Sequence, residues 1–156
     1  MPTTTTPTDP TLMRDLETML RTLRVTKADG EWCVVNLASP PADTYVRASV
    51  VEAEGTSYVI ATDDAAGLGI RPDFIGAWLT LEVNSALDAV GLTAAVASAL
   101  AKANIACNVF AGLHHDHLLV PTTDSARAIA TLEALKTSSQ RLAATDDPAT
   151  RLTTLT

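Results

Sequence analysis

Apolar residues at Leu12, Leu16, Met19, Leu20 and Leu23 recur at three- and four-residue steps within DPTLMRDLETMLRTLRV, the spacing of one helix face. Asp9 or Thr11 is placed to cap that helix, and Asp15 and Glu17 lie near its positive end. The period then shortens. GEWCVVNLA reads as a strand stopped by Ser39-Pro40-Pro41. TYVRASVVEAEGTSYVIAT reads as two strands joined in a hairpin at Glu54-Gly55. DDAAGLGIRPDF is a short helix or turn followed by a loop, with Pro72 and the glycines against anything longer.

The second half is more regular. AWLTLEV alternates, with Leu79, Leu81 and Val83 on one face and Trp78, Thr80 and Glu82 on the other. NSALDAVGL is a turn, and GLTAAVASALAKANI is a helix with Leu92, Val96 and Leu100 on one stripe. IACNVFAG and DHLLVP are strands paired through a histidine segment. TDSARAIATLEALKTSS is a helix using Ile129, Leu132 and Leu135, capped by Thr123 or Asp124. Strand, helix, strand, strand, helix is a ferredoxin-like half-sandwich lacking its last strand, which the first half is able to lend. The fold class expected is α+β, a ferredoxin-like (βαββαβ-type) two-lobe sandwich with antiparallel sheets. The expected organisation is a flexible tail over 1–11, one lobe over 12–76, a second over 77–138 and a polar tail over 139–156. Ala77 to Val83 is open to serving either lobe or both.

Composition narrows the function. The 156-residue chain is 47% hydrophobic and 19% charged, as a globular protein is, and its net charge is −7. It carries no basic stripe, so neither nucleic acid nor an anionic membrane is an expected partner. Cys33 and Cys107 lie far apart in apolar runs and read as reduced thiols. The start, MPTTTTPTDPT, has no basic and apolar signal-peptide regions, and no run approaches the roughly 18 apolar residues of a membrane span. A cytoplasmic protein is expected.

All three histidines fall in AGLHHDHLLVP, Ala111 to Pro121. His115 and His117, two apart on a strand, face one way, as metal ligands do. Asp116 then points the other way and no further ligand has the right spacing. A His–Asp general base needs a nucleophile or water to activate, and the chain has no GxSxG, GxGxxG or GxxxxGK[ST] motif. In the third reading the segment is a hairpin connection, with Gly112 bending the chain and His115 and Asp116 satisfying turn backbone groups. The surroundings favour the third. No catalytic residue, metal or cofactor is expected.

The strand before SALDAVGLTAAV, that helix start itself, and the later AKANIACNVFAG and HDHLLVP carry a resemblance. Over Leu79 to Pro121 the chain resembles the ACT domain family, and more narrowly small stand-alone proteins of two tandem ACT-like units. Over residues 1–76 the likeness rests on element order and the VRASVVEAEG hairpin. His114 departs from the aromatic, such as Tyr, expected at its position. ACT domains are regulatory modules that commonly bind an amino acid or similar metabolite between two units. The resemblance therefore implies a binding protein rather than a catalyst. It puts the ligand site on the loop from strand to helix, at Asn84, Ser85, Asp88, Val90, Gly91 and Leu92, with Asn108 on the facing strand. His115, Asp116 and His117 support it.

Elementary chemistry agrees in part. Gly91 opens a helix whose first amides lack intrahelical partners and attract a carboxylate. Asp88 suits an ammonium group, and Asn84 or Asn108 offers an amide of either polarity. The competing reading is an ordinary turn capped by Ser85 or Asp88. The leading expectation is an amino-acid-binding regulatory module, a homodimer or bound to a protein partner. The alternatives are an interaction module without a working ligand site and, further off, a metal-binding protein.

Overall fold

The computed structural model describes residues 12–146, with side chains as far as Arg141. The expected tail over 1–11 therefore lies outside the described residues. Asp15, not Asp9 or Thr11, caps the first helix, α1 (Leu16–Thr22), by accepting from Thr18 N at 2.8 Å. The helix is shorter than its apolar pattern: Leu12 precedes it, and Val25 opens a strand, β1 (Val25–Lys27). Leu23 still faces the core, because the chain turns there with its side chain buried.

The remaining elements are β2 (Trp32–Leu37), β3 (Ala48–Glu52), β4 (Gly55–Ala61), α2 (Thr62–Gly67), β5 (Gly76–Leu81), α3 (Leu92–Lys102), β6 (Asn108–Ala111), β7 (Asp116–Pro121) and α4 (Ser125–Asp146). A 3-10 turn, Thr122–Asp124, leads into α4, and the Asp124 carboxylate pairs with Arg127 instead of capping the helix by itself. The helix continues to Asp146, past Ser139, where a polar tail was expected to start. Ala128, Leu132 and Ser139 are buried along its inner side, and Gln140 Nε2 donates to Arg21 O at 3.1 Å, tying this end to α1.

All seven strands form one sheet in the order β3-β4-β2-β5-β7-β6, with β1 also beside β5. Every pairing is antiparallel. The order explains how the two half-sandwiches are completed. In β1-β5-β7-β6, the strand β1 takes the place of the fourth strand that the second lobe lacks. In β3-β4-β2-β5, the strand β5 is the fourth strand of the first lobe. Ala77 to Leu81 thus serves both lobes, and the mixed α/β, antiparallel, ferredoxin-like architecture is as expected.

Strand alternation separates two faces. Ala77, Leu79, Leu81, Leu118 and Val120 meet α1, α3 and α4 through Met19, Leu20, Leu23, Leu92, Val96, Leu100 and Leu132. Cys33, Val35, Tyr58 and Ile60 lie on the same face under α2. The opposite face carries Trp32, Val59, Trp78 and Leu119, and no helix among the described residues covers it. β2 and β5 share a single register pair, Trp32 with Gly76, so this tryptophan cluster is what spans the lobe junction.

Candidate functional site

The turn after β5 is pinned by the segment that leads into α1. Met13 and Ser85 form a parallel bridge, with Met13 N donating to Asn84 O at 2.8 Å and Ala86 N to Met13 O at 2.9 Å. Arg14 reaches across to Asp88, its Nε 3.1 Å from Oδ1, with both side chains exposed. Gly91 then turns at φ +107° and opens α3 without any side-chain cap. Only glycine adopts that backbone without strain. The first amides of α3 keep the partial positive charge of a helix start.

Beside those amides lies a hollow of about 100 Å³, lined by Ser85, Ala86, Leu92, Thr93, Ala111 and Asp116. Asp116 is in register with Leu81 and Ala111, so alternation sends its side chain to the helical face. Burial raises its carboxyl above the ordinary value, and His117 nearby opposes that shift only in part. A carboxylate desolvated in a concave site, with no hydrogen bond among the described residues, gains from a positively charged ligand.

The structure brings Ser85 and Leu92 together with Asp116 and leaves the other expected residues aside. Asp88 is engaged by Arg14. Val90 is 83% exposed. At Gly91 an added Cβ would stand 2.9 Å from Leu16 Cδ2, so a side chain of α1 lies on the side where a Cβ would project. The Asn84 carbonyl accepts from Met13. Asn108 lies on the helix-free face, three residues along β6 from Ala111, where its Nδ2 donates to Leu119 O at 3.3 Å. Neither Ser85 nor Asp88 caps α3. Asp116 was expected in a supporting place only, because which of the two strand faces meets the helices is set by the folded sheet. Thr93 was missed for a similar reason, since the first turn of α3 is oriented by packing.

The histidine segment is a hairpin connection, but its turn is closed differently from the expectation. Gly112 N donates to His115 O at 3.0 Å, so backbone, and not the side chains of His115 and Asp116, satisfies it. His115 instead points away, with Nδ1 3.4 Å from Val83 O. His117 faces the helix-free side, with Nδ1 3.0 Å from Thr80 Oγ1 and its ring stacked on Trp78 at 5.1 Å. His117 and Asp116 therefore serve opposite faces. Among the described residues, no three His, Cys, Asp or Glu side chains come together as a metal would need.

Comparisons with known proteins follow the same architecture. Residues 13–77 and residues 74–134 each match an ACT domain family. A solved Vibrio cholerae protein of unknown function, described as a possible transport protein, is 30% identical. The match covers 78% of this chain and 95% of that one, with a TM-score of 0.70. The chain belongs to the ACT domain family. Its two ACT units overlap at residues 74–77, where β5 begins and is shared between the lobes. Likeness of fold alone extends to an Agrobacterium tumefaciens protein at 20% identity and TM-score 0.55, covering 73% of this chain and 89% of that one. It extends also to the aspartate kinase of Clostridium acetobutylicum, an allosteric enzyme, at 14% identity and TM-score 0.54. There the match covers 72% of this chain and 34% of the kinase. No protein of curated function gives a match.

His117 gives this ACT protein a testable pH response. Burial lowers its pKa from 6.5, His115 and Arg47 lower it further, and Asp116 acts the other way. As pH falls below about 6.5, the unfolded chain takes up this proton before the folded one does, so stability drops. Asp116, whose carboxyl is raised, contributes with the opposite sign, which calls for a difference measurement. Melting temperatures of the native protein and His117→Gln from about pH 5 to 8 are expected to show a shallower acid loss in the variant. Parallel curves would show that His117 is not held neutral by its surroundings.

Proposed function

We propose that this protein is a regulatory module that binds a small amino acid, or a metabolite with the same zwitterionic head, in the hollow at the start of α3. The observation that carries the reading is the pairing of opposite demands across one small space. The uncapped amides of α3 suit the ligand carboxylate, and the desolvated Asp116 suits its ammonium group. Asp116 thus takes the role that the sequence assigned to Asp88. A volume of about 100 Å³ is a few water molecules' worth, enough for a head group but short of the roughly 300 Å³ at which common ligand pockets begin. The ligand's side chain extends outward, where a second unit completes the site. The open edges of β3 and β6 favour a homodimer, and the two free cysteines fit a reducing cytoplasm. The module acts by stabilising one arrangement of units over another, and catalysis is no part of it.

A thermal-shift panel of the proteinogenic amino acids at near-millimolar concentration tests the reading. A ligand at about 100 times its Kd adds about 2.7 kcal/mol, worth several degrees in a domain of this size. Asp116→Asn is expected to raise the melting temperature of the free protein, because a desolvated charge is removed, and to abolish the response. A response that survives Asp116→Asn would remove this residue from the site, and a silent panel would sink the reading. One observation favours a second reading, a protein-docking module. Leu87 and Val90, on the same loop, are 69% and 83% exposed, more apolar surface than a solvated turn needs.

A further inference from the structure

The helix-free face of the sheet carries a cation, Arg47, that meets no carboxylate among the described residues. Between β2 and β3, where a ferredoxin-like lobe places a helix, this chain has an irregular loop over residues 38–47. The end of that loop lays Tyr45 and Arg47 across the tryptophans. Arg47 Cζ stands 4.0 Å from the centre of the Trp32 ring and 5.7 Å from those of Trp78 and Tyr45. Val46, between them, turns inward to the cluster under α2, so alternation holds Tyr45 and Arg47 outward together. His117, stacked on Trp78, is near enough for the Arg47 charge to act on it.

Aromatic stacking accounts for the position of this guanidinium but leaves its hydrogen bonding unfinished. Arg47 Nε is buried and has no acceptor among the described residues. Arg14, Arg21, Arg24 and Arg127 each meet a carboxylate, whereas Arg47 meets none there. A buried donor left unpaired on a charged group costs more than a neutral one, and an incoming anion recovers that cost as a charge-assisted bond. The planar fork of a guanidinium lying flat on an indole matches the planar fork of a carboxylate. Tyr45 is 66% exposed, so its ring has room to shift and open the Nε edge.

We infer that Arg47, flanked by Tyr45 and His117, is a second binding site, for the carboxylate of a small organic acid, on the face of the sheet opposite the amino-acid hollow. It does not rest on that hollow, since Asp116 and Arg47 lie on different faces. Its position over Trp32, which forms the single register pair between β2 and β5, lets a bound acid act on the junction of the two lobes.

The chain has two tryptophans, and both are at this site, so their emission reports it directly. Acetate and succinate are titrated into the full-length protein against chloride at matched ionic strength, with inorganic phosphate as a further arm. A saturable change with the carboxylates is expected, roughly tenfold weaker in Arg47→Lys, which keeps the charge and loses the fork, and lost in Arg47→Gln. Far-UV circular dichroism checks that both variants fold. Responses equal to those of chloride, retained in Arg47→Gln, or saturable with phosphate alone would each overturn the assignment.

Discussion

Replacing Leu79 by alanine is expected to cost about 2–5 kcal/mol of folding stability, seen as a fall in melting temperature of roughly 5–15 °C. Leu79 is fully buried at the middle of β5, the strand that both lobes share. Its register partners are Lys27 on one side and Leu118 on the other, and it packs in the cluster formed with α1, α3 and α4. The cost has two parts, the lost transfer of buried methyl groups and the cavity left among neighbours that already pack on one another. Leu135→Ala, at a position only partly buried beside the same cluster, is the internal comparison and is expected to cost less. Equal losses in the two variants, measured by urea and thermal denaturation, would contradict the placement of the core at β5.

Gly76→Ala is expected to destabilise by about 1–3 kcal/mol, although a glycine-to-alanine change usually stabilises a strand slightly. An added Cβ would stand 2.6 Å from Leu119 Cγ, 2.7 Å from Leu119 Cδ1 and 2.9 Å from Phe74 Cε1. Leu119 is fully buried among Trp32, Val59 and Trp78, so it has nowhere to retreat. Gly76 is also the partner of Trp32 in the single pair that joins β2 to β5, which directs the strain onto the lobe junction. Gly67→Ala is the control. That glycine ends α2 with nothing within 4 Å of an added Cβ, and the change is expected to be neutral or favourable. A Gly76→Ala protein as stable as the Gly67→Ala protein, with unchanged tryptophan emission, would mean that the junction is looser than its contacts imply.

Much of the fold was legible because local periodicity was strong. The four-residue steps of Leu92, Val96 and Leu100, and the alternation of Leu79, Leu81 and Val83, appear as buried stripes. The first helix was overrun because its apolar period continues into Leu23 and Val25, and periodicity does not see that Asp15 is the better cap. Trp32 and Trp78 were expected as core or lobe-interface aromatics and are buried together, Trp78 on the strand face opposite Leu79, beside Arg47 and His117.

The candidate site was legible only as a loop. Ser85 and Leu92 line the hollow as their positions suggested, while Asp88 is drawn off by Arg14, 74 residues away in the chain. No local pattern encodes such a contact. The same holds for Arg47, which the sequence pattern places within the TYVRASVV strand, whereas β3 starts only at Ala48.

Local pattern was enough for most of the elements, the ferredoxin-like order and the ACT resemblance, because helix and strand periods are properties of neighbouring residues, but not for the three-residue β1. Long-range pairing set how β1 and β5 complete the two lobes, that Asp116 faces the start of α3, and that Arg47 lies on the tryptophans with no carboxylate partner among the described residues. Those depend on strand register and on which face each side chain takes, and pairing between distant segments sets both.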